Sequence, residues 1–116
     1  MRIREWIAIV GFIAACALMA GCSKESPSIR VFNERTVKAN VQLKTPTGNT
    51  ININDVDGGR GTVYQDIQTG PWTASATIQS ESASPSITFN ADEDKYYVVV
   101  VTSATPPTLR VDVSDK

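Results

Sequence analysis

The sequence contains no histidine. That absence removes the commonest general base and the commonest metal ligand together. Ser-His-Asp triads, Cys-His pairs and histidine-bearing zinc sites cannot be assembled from it. Cysteine is almost as scarce, with Cys16 and Cys22 alone, both within the first 22 residues. Aromatic residues make up 7%, and charge is nearly balanced at −1. No segment is obviously basic, so nucleic acid is not an expected partner. The longest uncharged apolar run, Ile7 to Ala20, is shorter than the roughly 20 residues a membrane-spanning helix needs.

What the chain does have at its start is a leader. Arg2 and Arg4 precede the apolar run, and Leu18-Met19-Ala20-Gly21-Cys22 closes it. This closing motif resembles the lipobox of bacterial lipoprotein precursors. The resemblance implies removal of residues 1–21 and lipid attachment at Cys22. Cys16, preceded by Ile13-Ala14-Ala15, is the other possible cut. Cleavage there would leave Ala17 to Gly21, still apolar, on the mature protein and shorten the apolar run to about nine residues. Cys22 is followed at once by polar Ser23, Lys24 and Glu25 and is the preferred site. An uncleaved anchor is the third possibility. In Gram-negative lipoproteins, a serine rather than aspartate after the cysteine implies sorting to the outer membrane, facing the periplasm.

Cleavage at Cys22 leaves 95 residues, enough for one domain. Removing Arg2, Arg4 and Glu5 takes the charged residues to nine basic and eleven acidic, a net −2. With one cysteine remaining, no intrachain disulfide is possible. Residues 22–27 then form the lipidated cysteine and a short polar tether, which reaches about 20 Å when fully extended. Residues 28–116 form the domain.

Within the domain, period-2 alternation dominates. Ser28 to Asn33 reads as a first strand. Val37, Ala39, Val41 and Leu43 alternate with polar residues in a second. Pro46-Thr47-Gly48-Asn49 is a turn, and Ile51 and Ile53 open a third strand. Asn54 to Gly61, with three glycines among its last four residues, is expected to be a loop. Strand structure is expected again over Thr62–Gln68, broken at Thr69-Gly70-Pro71 and continued from Trp72 to Ile78. Ile87 and Phe89 mark another strand, and Asp92-Glu93-Asp94-Lys95 an acidic turn. Tyr96 to Val101 reads as a strand buried on both faces, and Leu109, Val111 and Val113 as the last. Seven or eight short strands without helical periodicity predict an all-β fold, an Ig-like antiparallel β-sandwich.

From Ser28 onward the chain resembles a family of secreted bacterial Ig-like domains of uncharacterised function. The matching residues are Ile29-Arg30-Val31-Phe32-Asn33, Tyr64-x-x-Ile67-x-x-Gly70-Pro71-Trp72, Phe89, Tyr96-Tyr97-Val98-Val99-Val100 and Leu109-x-Val111. Asp94-Lys95 stands where members often carry glycine before the tyrosine pair, and Val98 where they carry threonine. The pattern is similar, more distantly, to the N-terminal part of the periplasmic alginate O-acetylation protein F. The resemblance implies a fold and supplies no catalytic residue.

Several residues invite a chemical reading. Asp55-x-Asp57-Gly58 has the carboxylates and glycine of a calcium loop, but Ile53 and Tyr64 fall where an EF-hand needs ligands. The segment is read as a hairpin loop. Gly59-Arg60-Gly61 precedes a strand, not the helix a phosphate cradle requires. Asp66, Glu81 and Asp92-Glu93-Asp94 could supply paired carboxylates, which would need a cleft that a domain this small has little room for. Trp72, Tyr96 and Tyr97 could stack on a sugar, but their strand positions read as core. Adjacent residues in a strand face opposite ways, so whichever of Tyr96 and Tyr97 points outward is the candidate contact surface.

The sequence therefore predicts a cell-envelope lipoprotein whose sandwich is a non-catalytic binding or structural module, without cofactor or metal. Its expected partners are the membrane, through the lipid, and an envelope protein or glycan. The alternative is an accessory subunit of an envelope polysaccharide-modifying system.

Overall fold

The computed structural model describes residues 23–116. Cleavage and lipidation at Cys22 concern residues outside that range. In the segment Ala39–Lys44, Ala39, Val41 and Leu43 are buried while Asn40, Gln42 and Lys44 face solvent. The same alternation repeats along most of the domain and yields eight strands, with no helix among the described residues. They are β1 (Ser28–Asn33), β2 (Ala39–Lys44), β3 (Thr50–Val56), β4 (Gln65–Asp66), β5 (Gly70–Ile78), β6 (Ser86–Ala91), β7 (Lys95–Val101) and β8 (Leu109–Asp115).

Two four-stranded sheets form a β-sandwich, one ordered β4-β1-β7-β8 and the other β3-β2-β5-β6. Three pairs are sequence-adjacent hairpins: β2–β3, β5–β6 and β7–β8. The remaining connections pass from sheet to sheet and stitch the layers together. One pairing departs from an otherwise antiparallel pattern: β1 runs parallel to β7, with Ser28 opposite Tyr96 and Asn33 opposite Val101.

The core lies between Ile29 and Val31 of β1, Val41 and Leu43 of β2, Trp72 to Ile78 of β5, and Tyr97, Val99 and Val101 of β7. Ala74 stands between Leu43 and Ile87 in register, where a small side chain leaves room for its two large neighbours. The Trp72 indole is enclosed, and its Nε1 donates to the Gln68 carbonyl at 3.0 Å. A buried indole N–H needs such a partner.

Three expectations about local structure are corrected. Asn54, Asp55 and Val56 continue β3 and do not belong to the loop. Here β3 gains a residue relative to β2, since Ala39 lies opposite Val56 but Val41 opposite Ile53. Simple alternation after Ile51 and Ile53 would turn Asp55 inward. The bulge turns Asp55 out, at φ 58°, and Val56 in. The Asn40 Oδ1 accepts the Asp55 N–H at 2.7 Å and holds the bulge.

Thr62–Gln68 forms only the two-residue β4, preceded by a single bridge between Gly61 and Phe32. Thr62 explains the gap: its Oγ1 accepts the Val31 N–H at 3.0 Å, while its own N–H donates to the Val31 carbonyl at 2.9 Å. A side-chain oxygen thus takes the place of a backbone acceptor. Finally, Gly70 and Pro71 already pair with Ala91 and Asn90 as the start of β5. Pro71 lacks an N–H, and a strand's first turn of pairing tolerates that.

Candidate contact surface

Parity along β1 and β7 decides which side chains leave the core. Ile29 and Val31 point in, so Arg30 and Phe32 lie on the outer face of their sheet, both half-buried. Tyr97 points in and is 2% exposed. Its ring packs on Phe89 at 5.5 Å, and its hydroxyl accepts the Asp92 N–H at 2.7 Å. Tyr96 is therefore the outward tyrosine of the pair.

Tyr96 does not stand alone. The chain segment leading to β4 lays Tyr64 against it, with ring centroids 4.8 Å apart and planes tilted by 50°. The Arg30 guanidinium lies 5.3 Å from the Tyr64 centroid and 6.0 Å from that of Phe32. At the other end, the Lys116 ammonium lies 5.2 Å from the Tyr96 centroid. The result is a row on one face in the order Phe32, Arg30, Tyr64, Tyr96, Lys116, with cations over aromatic rings at both ends. Each such contact is worth about 0.5–1 kcal/mol at an exposed site. Gly61 lies against the row: a Cβ there would come within 2.8 Å of Arg30 Nη1 and 3.0 Å of Phe32 Cδ1, and the end of Arg30 would have to shift. Beside it Val63 is 87% exposed and Tyr64 42%.

The polypeptide ahead of β1 is fastened at the same end of the sheet. Glu25 donates its N–H to Asp94 Oδ1 at 2.8 Å, and Asp94 returns its own N–H to the Glu25 carbonyl at 2.9 Å. Pro27 is fully buried, with its carbonyl accepting the Ile67 N–H at 2.8 Å. Lys116 Nζ reaches the Ser26 carbonyl at 2.7 Å and Ser28 Oγ at 2.8 Å, and its distance to the Glu25 carboxylate is 3.5 Å. Most of the segment read as a tether, Glu25 to Pro27, is thus part of the folded domain.

At the opposite end, where β1 and β7 finish, a shallow cavity of about 240 Å³ is lined by Glu34, Arg35, Val37, Gln79, Glu81 and Ser103, among others. Arg35 braces it, donating to the Thr102 and Ala104 carbonyls at 2.9 and 3.0 Å and to Glu81 at 2.9 Å.

The carboxylates considered from sequence lie apart from one another in role. Asp66 accepts from Ser28 Oγ at 2.9 Å, Glu81 pairs with Arg35, and Asp94 caps Glu25. Asp57 stands 4.0 Å from Lys38, and Asp55 belongs to the bulge. Among the described residues, no three His, Cys, Asp or Glu side chains gather as a metal site would require. Trp72 lies in the core, away from any contact surface.

Tyr64, Arg30 and Lys116 were not singled out by sequence reasoning. The available signal was parity, which puts Arg30 and Phe32 on the outer face of β1. Nothing local could bring Tyr64 to Tyr96 across 32 positions. Compared with protein-family models and with curated proteins, the chain matches none.

Proposed function

We propose that the protein is a lipid-anchored cell-envelope protein, acylated at Cys22, whose β-sandwich is a non-catalytic binding or structural module held close to the membrane. In a Gram-negative cell the serine at position 23 assigns it to the outer membrane, facing the periplasm. One observation carries the reading. Because Glu25, Ser26 and Pro27 are fastened to the sandwich, only Ser23 and Lys24 separate Cys22 from the folded unit. A domain built for a stalk would leave this segment unattached. The non-catalytic role rests on the missing histidine and on the small size of the domain, which leaves little room for a substrate cleft.

Two or more acyl chains give stable membrane residence, whereas one is marginal, at about 0.8 kcal/mol per buried CH₂. The protein should therefore remain with membranes through salt washes. Intact mass of the mature protein tests the reading directly. A chain beginning at Cys22 and bearing diacylglycerol is expected. Cys22→Ser should abolish the lipid, while Cys16→Ser should leave mass and fractionation unchanged. A lipid-bearing Cys22→Ser chain, or a mature mass beginning at Cys16, would refute it. Turnover of a glycan or ester by the purified domain would refute the non-catalytic role.

A further inference from the structure

The row of aromatic and cationic side chains ends at Lys116, which also holds Ser26 and pairs with Glu25, three residues after Cys22. We infer that the outer face of the β4-β1-β7-β8 sheet, led by Tyr64 and Tyr96 with the exposed Val63 next to Tyr64 in the chain, rests on the headgroup region of the bilayer that carries the anchor. This rests on the acylated Cys22 proposed above.

Length sets the geometry. Three residue steps separate the Cys22 Cα from that of Glu25, at most about 10 Å of extended chain. Glu25 is held by Asp94, and Lys116 ties Glu25 and Ser26 to Ser28, the residue paired in register with Tyr96. The lipid glycerol therefore cannot stand far from Tyr96, and Tyr96 touches Tyr64. An exposed valine beside two tyrosines and a lysine has the composition favoured at a membrane interface, where phenol rings sit among headgroups and lysines reach phosphate.

Charge sets the side. This end of the domain also carries acids, which an anionic surface would repel. Glu25 is answered by Lys116 and Asp115 by Lys95. Asp66, in register with Ser28 on this face, is exposed and accepts from the Ser28 hydroxyl at 2.9 Å, so it is the acid that opposes the contact. Glu93 and Asp94 share the turn of Asp92. Asp92 is hydrogen-bonded through its N–H to the inward-pointing Tyr97, on the opposite side of β7 from Tyr96. The sandwich therefore leans with its aromatic face to the lipid and the Asp92 turn tilted away. The intrinsic contact need not be strong, because a short tether supplies an effective concentration on the order of millimolar. In this pose the cavity beside Arg35, at the far end of β1, points into the aqueous space.

The test uses the mature lipidated protein in vesicles of phosphatidylethanolamine and phosphatidylglycerol. Val63→Cys and, on the outer face of the other sheet, Thr88→Cys each carry a bimane label, acylation having consumed the Cys22 thiol. Nitroxide lipids should quench the label at position 63 and not that at 88. Aqueous iodide should show the reverse order, with severalfold protection at 63 that disappears when the same variant is made without the lipid. Adding Tyr64→Ser and Tyr96→Ser should restore iodide access at 63 while the protein still floats with the vesicles. Equal iodide access at 63 and 88 on a floating, lipid-bearing protein overturns this inference and leaves the anchor intact. A label at 63 that becomes shielded only when soluble glycan strands are added also overturns it, making the face a glycan platform. A mature mass without lipid removes the anchor and this inference with it.

Discussion

Asp94 and Glu25 exchange two hydrogen bonds, 2.8 and 2.9 Å long, between positions 69 residues apart. Asp94 does so from a left-handed conformation, φ 63°, which costs a non-glycine residue roughly 1–2 kcal/mol but suits Asp and Asn best. Asp94→Ala keeps the backbone cost and loses the acceptor, so it should destabilise the leaderless protein by about 1–2 kcal/mol. Asp94→Asn preserves both features and should fall within about 0.5 kcal/mol of wild type. Asp94→Gly removes the conformational cost along with the acceptor and should lie between them. Urea melts give the ranking, and faster hydrogen exchange at the Glu25 amide should accompany Ala and Gly but not Asn.

Gly70 is the second position where backbone and space agree. Its φ is +123°, and a Cβ would stand 2.9 Å from Pro46 Cγ. Gly70→Val should therefore cost about 2–4 kcal/mol, combining the conformational penalty with displacement of the Pro46 turn. Gly70→Val in a Pro46→Ala background should recover only the steric share. Equal melting temperatures for wild type and Gly70→Val would remove both arguments.

These positions show what the sequence could and could not disclose. Strands β1, β2, β5, β6, β7 and β8 were legible because each presents apolar residues at every second position or in a continuous run. Two of the three failures occurred where a side chain substituted for backbone; the third, at Gly70-Pro71, came from reading turn-forming residues as a break where they already pair in β5. Asn40 supports the Asp55 bulge, and Thr62 closes a bond to Val31 that a strand would have closed with its carbonyl. Asx-rich and glycine-rich text beside a bulge looks like loop, since the extra residue that rescues Val56 for the core leaves no periodic trace. The contact surface was half legible. Parity required one of Tyr96 and Tyr97 to face outward and left open which one, and the burial of Tyr97 makes it Tyr96. Parity also places Arg30 on the outer face, whereas Tyr64 and Lys116 depend on how the chain returns along the sheet.

Lys95 and Asp115 form an ion pair across β7 and β8, with the Asp115 side chain 80% exposed. The hydrogen bond and charge of Lys95 hold the Asp115 carboxyl below its ordinary 3.8, and the same partner raises Lys95 above 10.5. A depressed acid contributes stability above its unfolded value and loses it as pH falls through the folded value. A raised lysine contributes below its unfolded value and loses it as pH rises through the folded one. The pair therefore acts only between those limits, and solvent and salt screen it. NMR titration should find the Asp115 midpoint depressed, and restored by Lys95→Gln or high salt. The melting temperature near neutral pH should barely move.

Asn33 carries the largest expected effect. It is wholly buried at the end of β1. Its Nδ2 donates to the Val37 and Val56 carbonyls at 2.8 and 3.0 Å, and its Oδ1 accepts the Arg35 N–H at 2.9 Å. Its main chain exchanges further bonds with Gly59 and Arg60. One side chain thus closes the gap between the end of β1, the approach to β2 and the end of β3. Asn33→Leu has similar bulk and satisfies none of the three groups. An unmet buried polar group costs about 1–3 kcal/mol, so a loss of about 3–5 kcal/mol is expected. Asn33→Asp separates polarity from packing. Its carboxylate would face two carbonyl oxygens, and only the protonated form can donate to one of them. Its folded pKa should therefore be raised, making the variant weaker relative to wild type at about pH 7 than at about pH 4. Urea unfolding of both variants at the two pH values decides it. Wild-type stability in Asn33→Leu, or an Asp variant whose deficit shrinks as pH rises, would show that these three bonds do not hold this corner.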